Sequence, residues 1–328
     1  MKQPMARIRA GNKGVTLIEL MIVLVIASIL VGGIYTLFMT QQRSYSVQDQ
    51  VVGVQQDARA ALDIMTRDIR MAGFLAGPGS SSGFTDGLIN TITLPSGFTF
   101  ALTPVNSATT PDSITVVFSA QELGVVQSLT GGNQVNLLLS SNVNLNTYFA
   151  SNPLLVSFDL HDHHRNKVYQ VNAFSNSPAQ VTVTNFPSGS VTVGGKVYGV
   201  KAITYSVTTA DGVLRRNDYT GGGAQPLAGD GITTFVEDLQ FAYLVAGSNT
   251  WIFDIPAHTW PAGTTFANIR MVRINITVRT AVQDATVQDA APATQFNQPA
   301  LEDHTTTLSG PDGFRRRVYT TEVKVRNL

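Results

Sequence analysis

An uninterrupted apolar run stands near the beginning of the chain. Residues 20–39 carry no charged side chain and are rich in Leu, Ile and Val. At ~1.5 Å per residue, a helix of this length measures ~30 Å, which is the hydrocarbon thickness of a bilayer. The run therefore predicts a transmembrane helix, which we place at about residues 17–39.

Helical periodicity continues beyond the apolar run. Apolar side chains recur every three or four positions, which predicts a stripe that packs against the rest of the protein. Gly73 can adopt the left-handed conformation that ends a helix. We expect one long helical segment over residues 15–74. The stripe consists of Val47, Val51, Val54, Ala58, Leu62, Met65, Ile69 and Ala72.

The pattern then changes to short runs with a period of two. Residues 75–87 are rich in Gly and Ser and predict a linker, and residues 88–328 predict a β-rich head. Residues 201–219 predict a hairpin that turns at Asp211-Gly212. Further strands are predicted over 113–120, 133–140, 153–160, 181–186, 191–200, 232–245, 269–280 and 318–327.

The strand at 269–280 has the clearest alternation. Val272, Ile274, Ile276 and Val278 face one way, and Arg273, Asn275, Thr277 and Arg279 face the other. Such alternation is typical of an antiparallel sheet with one buried and one solvated face. The predicted fold class is α+β, with a long N-terminal helix and a large antiparallel β-sheet head.

The charged residues and the lack of cysteine limit the partners, the chemistry and the membrane orientation that we expect. The chain has 22 basic and 22 acidic residues, so we expect no nucleic-acid partner. It has no cysteine, which excludes disulfides and thiol chemistry. Residues 1–14 contain Lys2, Arg7, Arg9 and Lys13 and no acid. By the positive-inside rule this cluster stays in the cytoplasm, and the part beyond Met39 faces outward.

The junction between the basic cluster and the apolar run reads KGVTLIEL, residues 13–20. It resembles the type III signal of type IV prepilins and type II secretion pseudopilins, although Val15 stands where phenylalanine is commonest. The matching residues are Gly14, Thr16, Leu17, Ile18, Glu19 and Leu20. The resemblance implies a leader over residues 1–14, cleavage by a prepilin peptidase between Gly14 and Val15, and N-methylation of Val15.

The presence of Glu19 at the start of the apolar run requires a physical explanation. A carboxylate inside a bilayer costs a few kcal/mol unless it is paired or lies at the interface. In a filament of staggered parallel helices, the amine of Val15 on one subunit can meet Glu19 of another. We therefore predict an assembly salt bridge at Glu19. The alternative is a signal anchor with a stray interfacial glutamate.

The head resembles the PilW family of minor type IV pilins over roughly residues 200–328, and the helix end fits that family as well. The resemblance implies a pilin-like fold. The matching residues are Asp57, Arg59, Leu62, Asp68, Ile69, Arg70, Ala72, Gly73 and Phe74 in the helix, and Tyr205, Asp211, Gly212, Leu214, Arg216, Glu237, Asp238, Leu239, Gln240, Tyr243, Arg273, Arg279, Arg315, Arg316, Val323, Arg326 and Asn327 in the head.

The PilW resemblance further implies a minor pilin that takes part in initiating and assembling the type IV pilus, in a tip complex with other minor pilins. Its implied partners are the prepilin peptidase, other minor pilins, the major pilin, the inner-membrane assembly platform and, before assembly, the lipid bilayer. The implied location is the inner membrane, single-pass with a periplasmic head, and then the pilus. Two alternatives stay open: a minor pseudopilin of type II secretion, and a tip adhesin or binding module.

Candidate chemistry is sparse. His161 and His163 would share one face of a strand, and His164 follows, a spacing compatible with a metal site; a histidine-rich hairpin end is the commoner explanation. The run Arg315-Arg316-Arg317 suggests either an anionic partner or a solvated turn. No nucleotide-binding or zinc-protease motif is present, so we expect neither a cofactor nor an enzymatic activity.

Overall fold

The computed structural model describes residues 14–75, 101–150, 154–158, 167–183, 191–218, 224–230, 234–253, 268–284, 296, 300–302, 304 and 312–326. The predicted leader before Gly14, the linker after Leu75 and the histidine cluster at 161–164 lie outside these residues. The chain divides into two units, residues 1–49 and residues 50–328.

Two helices occur in the described part of the chain: α1 (Leu17–Arg70) and α2 (Leu145–Ala150). The N-terminal part of α1 is long and apolar enough to cross a membrane, and its best 18-residue window has a mean hydropathy of 2.7. The side chains of this window are exposed. Gly73 follows the helix with a φ of 75°, and its N–H donates to the carbonyl of Val117 at 2.9 Å.

Every strand pairing between the described strands is antiparallel. With the long α1, this confirms the predicted α+β class. The strands are β1 (Leu102–Val105), β2 (Ser113–Thr130), β3 (Gln134–Leu139), β4 (Leu155–Phe158), β5 (Lys167–Asn176), β6 (Ala179–Val183), β7 (Lys196–Thr208), β8 (Val213–Asp218), β9 (Ala224–Ala228), β10 (Thr234–Val245), β11 (Ile269–Thr280) and β12 (Arg316–Lys324).

Three strands form one sheet, in the order β10-β11-β12. The stripe of α1 is buried from Val54 to Ala72 and shares one core with the inward side chains of this sheet. Ile274 and Ile276 of β11 are fully buried there. Burying such a side chain contributes about 1.5–3 kcal/mol. Packing therefore fixes this part of α1 on the sheet.

The other nine strands follow the order β1-β2-β3-β6-β5-β4-β7-β8-β9, with an additional pairing between β2 and β7. That pairing closes six strands, β2-β3-β6-β5-β4-β7, into a barrel. The predicted strand at 191–200 begins only at Lys196, because residues 191–195 form a turn in which Gly194 has a φ of 92°.

The predicted solvated face of β11 is wrong in its central part. Asn275 and Thr277 lie on that face and are buried. The Nδ2 atom of Asn275 donates to Glu302 at 2.7 Å, so Glu302 covers part of this face. His304 is also buried there and lies 2.9 Å from the Asp238 carboxylate. Sequence alternation could not reveal this cover, because it comes from a distant segment.

The Asp211-Gly212 turn connects β7 and β8 of the nine-stranded sheet and also contacts β10 of the three-stranded sheet. Gly212 has a φ of 61°, and an added Cβ would lie 2.6 Å from Cδ1 of Phe235. Its carbonyl also accepts a hydrogen bond from the N–H of Val236 at 2.7 Å. We expect Gly212→Ala to lower the free energy of unfolding by about 2–4 kcal/mol, since backbone strain and overpacking add.

Gly131 is the matched control, because it has a φ of 63° and open space around an added Cβ. Gly131→Ala should show the backbone cost alone, about 1–2 kcal/mol. Thermal unfolding of the two variants checks the difference. Equal destabilisation would contradict the proposed contact with Phe235.

Candidate functional site

The first turn of α1 is built around Thr16 and Glu19. Thr16 precedes the helix, and its Oγ1 accepts a hydrogen bond from the N–H of Glu19 at 3.3 Å. The carbonyl of Thr16 accepts the first helical hydrogen bond, from Leu20 at 3.1 Å. Thr16 is thus the N-cap and Glu19 the third helical residue, the spacing of a capping box. Our sequence analysis missed this role, although Thr-x-x-Glu is its known signature.

Glu19 also lies where the helix dipole favours a negative charge. The N-terminus of a helix carries roughly +0.5 elementary charge, so a carboxylate in the first turn is stabilising there. A free amine at Val15 would add a second positive charge to the same end. A carboxylate at residue 19 is therefore well placed to compensate such an amine, either within the chain or from a neighbouring subunit.

The peptide bond between Gly14 and Val15 precedes the helix and is accessible. Both residues are exposed. An added Cβ at Gly14 would meet no atom within 4 Å. The local structure therefore does not require glycine at position 14. A requirement for glycine there would have to come from whatever binds this bond.

Hydroxyl groups within the apolar part of α1 are satisfied by the helix itself. Ser28 donates to the carbonyl of Val25 at 2.8 Å, and Thr36 donates to that of Gly32 at 2.6 Å. Unsatisfied polar groups are costly in hydrocarbon, so these bonds suit a lipid environment. The side chains from Leu17 to Met39 are largely exposed.

A buried ion pair fastens the end of α1 to the nine-stranded sheet. The carboxylate of Asp68 accepts the hydroxyl of Tyr205 at 2.6 Å and Nε of Arg216 at 3.0 Å. Burial and the Asp68 carboxylate raise the pKa of Tyr205 well above its ordinary value, so the hydroxyl stays protonated and donates. Asp68 is far from Tyr205 and Arg216 in sequence, and all three are among the residues that resemble the PilW family.

A second ion cluster holds the start of β12. Arg316 donates to both oxygens of Glu237, at 2.6 and 2.9 Å, and to both oxygens of Asp312, at 2.7 Å. Its side chain is only 4% exposed. Burial acts against the charged form, but the two carboxylates raise the pKa of Arg316. Arg279 stacks nearby between the rings of Phe235 and Phe314, 4.4 and 4.1 Å from their centroids.

The structure thus gives the arginine run different roles. Arg315 pairs with Asp284 at 2.5 Å, Arg316 is buried in its ion cluster, and Arg317 is exposed. Arg316 is therefore structural rather than a member of a solvated turn, whereas the side chain of Arg315 is 45% exposed although it is paired. Among the described residues, no group of three His, Asp or Glu side chains could hold a metal ion.

Two family patterns match the sequence. Residues 9–35 match the prokaryotic N-terminal methylation motif. Residues 198–327 match the family described as Type IV Pilus-assembly protein W. The first range includes Gly14, Val15 and Glu19, and the second includes Tyr205, Arg216, Glu237 and Arg316.

Among solved structures, the chain is similar to a type IV-like pilin from Thermus thermophilus. The two are 13% identical, the match covers 84% of this chain and 97% of the other, and the TM-score is 0.40. No curated protein matches the chain significantly.

Proposed function

We propose that this chain is a minor pilin that takes part in initiating and assembling a type IV pilus, because residues 9–35 match the prokaryotic N-terminal methylation motif and residues 198–327 match the family described as Type IV Pilus-assembly protein W. The observation that carries the proposal is the start of α1. There Glu19 places a carboxylate in the first turn of an exposed apolar helix, whose N-cap is Thr16, shortly after an accessible Gly14–Val15 bond.

The proposed sequence of events begins in the inner membrane. The apolar part of α1 anchors the precursor there, with the leader in the cytoplasm and the head in the periplasm. A prepilin peptidase cuts after Gly14 and methylates the amine of Val15. At the assembly platform the mature subunit then leaves the bilayer. There it joins other minor pilins and the major pilin through parallel helices.

In this proposal, assembly is driven by an ion pair that Glu19 forms with a neighbouring subunit. Its carboxylate is costly in hydrocarbon, and the amine of Val15 on a neighbouring subunit offsets that cost. The pair also fixes the stagger, because only one axial offset brings the two charges together. The pilus family match favours a pilus over type II secretion. Members of that family are assembly components, so a non-enzymatic role stays the expectation.

The processing step has a direct test. We expect Gly14→Val to keep its leader, because a side chain would enter the peptidase site while the chain's own structure has space for it. Mass spectrometry of the membrane-bound protein from its host checks this. Wild type should lack residues 1–14 and carry a methylated Val15. A cleaved Gly14→Val protein, or wild type with its leader, would contradict the proposal.

A further inference from the structure

The middle of the head forms a closed unit of its own. We call residues 121–199 the barrel module. It contains the second half of β2, all of β3, β4, β5 and β6, α2, and the start of β7. Each strand pairs with two neighbours in the ring. The barrel therefore has no open edge within this ring.

The barrel module has its own hydrophobic core. Every strand of the ring contributes to it, and α2 adds Leu145, Tyr148 and Phe149. Among the described residues, none from 121–199 belongs to the core around α1. The barrel core contains Leu123, Val126, Val135, Leu137, Leu145, Tyr148, Phe149, Val156, Phe158, Tyr169, Val171, Val181, Val183, Val191 and Val197.

The chain enters and leaves the barrel module at one place. Gln121 on β2 pairs directly with Gly199 on β7. Register shifts on β2 lie on both sides of this pair, between Ser119 and Gln121 and between Glu122 and Gly124. Such bulges bend a strand and increase its twist. The β2–β7 ribbon therefore turns here from the open sheet into the barrel.

Within the part of the chain that the structure describes, a small set of side chains joins the barrel module to the rest of the head. A small buried cluster combines Leu155 and Val168 of the module with Val117, Val200 and Ala202 outside it. The hydroxyl of Ser157 also donates to the carbonyl of Leu75. These contacts are modest beside the barrel core and the core around α1.

From these observations we propose that the barrel module is a separable insertion that pilus assembly does not use. Assembly then rests on α1 and the PilW-like region, whose match begins at residue 198, where the chain leaves the barrel. This inference rests on the proposed function of the chain as a pilin.

Excision tests the inference. Residues 122–198 are replaced by Asn-Gly, a dipeptide that suits a two-residue hairpin between the paired Gln121 and Gly199. The variant is expressed in a host that lacks its own copy of the gene. We expect normal filament numbers by electron microscopy. Filament loss would overturn the inference.

Two matched substitutions keep the test independent of the excision. Val181 and Ile274 are both fully buried, one in the barrel core and one in the core around α1. Because the two cores share no described residue and parts of a protein can unfold separately, we expect Val181→Asp to keep filament numbers within about twofold of wild type. Ile274→Asp should lose them. Filament loss in both variants would overturn the inference.

A Glu19→Val variant in the same host separates this inference from the proposed function. If Glu19→Val assembles normally, the proposed pilin role fails, whatever the barrel variants do. If Glu19→Val loses filaments and the excision variant keeps them, both proposals stand. If both lose filaments, only the separable barrel module is refuted.

Discussion

Glu19→Val is expected to abolish pilus assembly while the head stays folded. The substitution removes the carboxylate that we propose pairs with the amine of Val15 on a neighbouring subunit. The amine then has no partner, and an unpaired charge at membrane depth costs about 3 kcal/mol. This energy corresponds to a roughly 100-fold weaker association constant for each lateral step between subunits. Electron microscopy of filaments in a host that carries only the variant measures the effect.

Glu19 occupies the third helical position of a capping-box spacing, and this position requires its own control. Glutamine at the third helical position can complete a capping box but carries no charge. If charge matters, Glu19→Gln should fail to assemble as Glu19→Val does. Thr16→Ala keeps the charge and removes the cap that accepts the Glu19 N–H, so it should assemble better than either. Normal assembly of Glu19→Gln would refute the electrostatic role.

Arg316→Met is expected to lower the free energy of unfolding of the head by about 3–5 kcal/mol. The reason is the buried cluster with Glu237 and Asp312. Without the guanidinium, the largely buried carboxylates of Glu237 and Asp312 lose the cation that binds both of them. For a domain of this size the midpoint temperature should fall by roughly 10 °C. Near-ultraviolet circular dichroism of the detergent-solubilised full chain measures the transition.

Arg317→Met is the matched control, because Arg317 is adjacent in sequence and exposed. Its effect should stay within about 0.5 kcal/mol. Similar losses in the two variants would show that the cluster adds no specific stability.

Acid should shrink the difference between wild type and Arg316→Met. Burial opposes ionisation of Asp312, but hydrogen bonds from Arg316 lower its pKa overall. The folded-state pKa thus lies below the unfolded value of about 3.9. The stabilisation is present above that value and is lost as pH falls through the folded-state pKa. Thermal scans below about pH 4 check this.

Local pattern predicted α1, most of the longer strands and the N-terminal site, but it did not predict β1, α2, β5 or β9. The stripe from Val54 to Ala72 indicated which side of the helical segment is buried, whereas the alternation in β11 indicated only one of its two buried faces and the apolar run is exposed. Gly14, Val15, Thr16 and Glu19 lie within six consecutive residues, so the sequence alone brings them close together. Their processing and pairing remain predictions.

Contacts between distant segments were decided only by the tertiary structure. Asp68 meets Arg216, Glu237 meets Arg316, and His304 covers Asp238. The spacing of apolar residues along the chain does not indicate which strands become neighbours in a sheet. The closure of the barrel depends likewise on the pairing of β2 with β7. Such contacts follow from the packing of whole sheets, because a buried charge is stable only where folding places its partner.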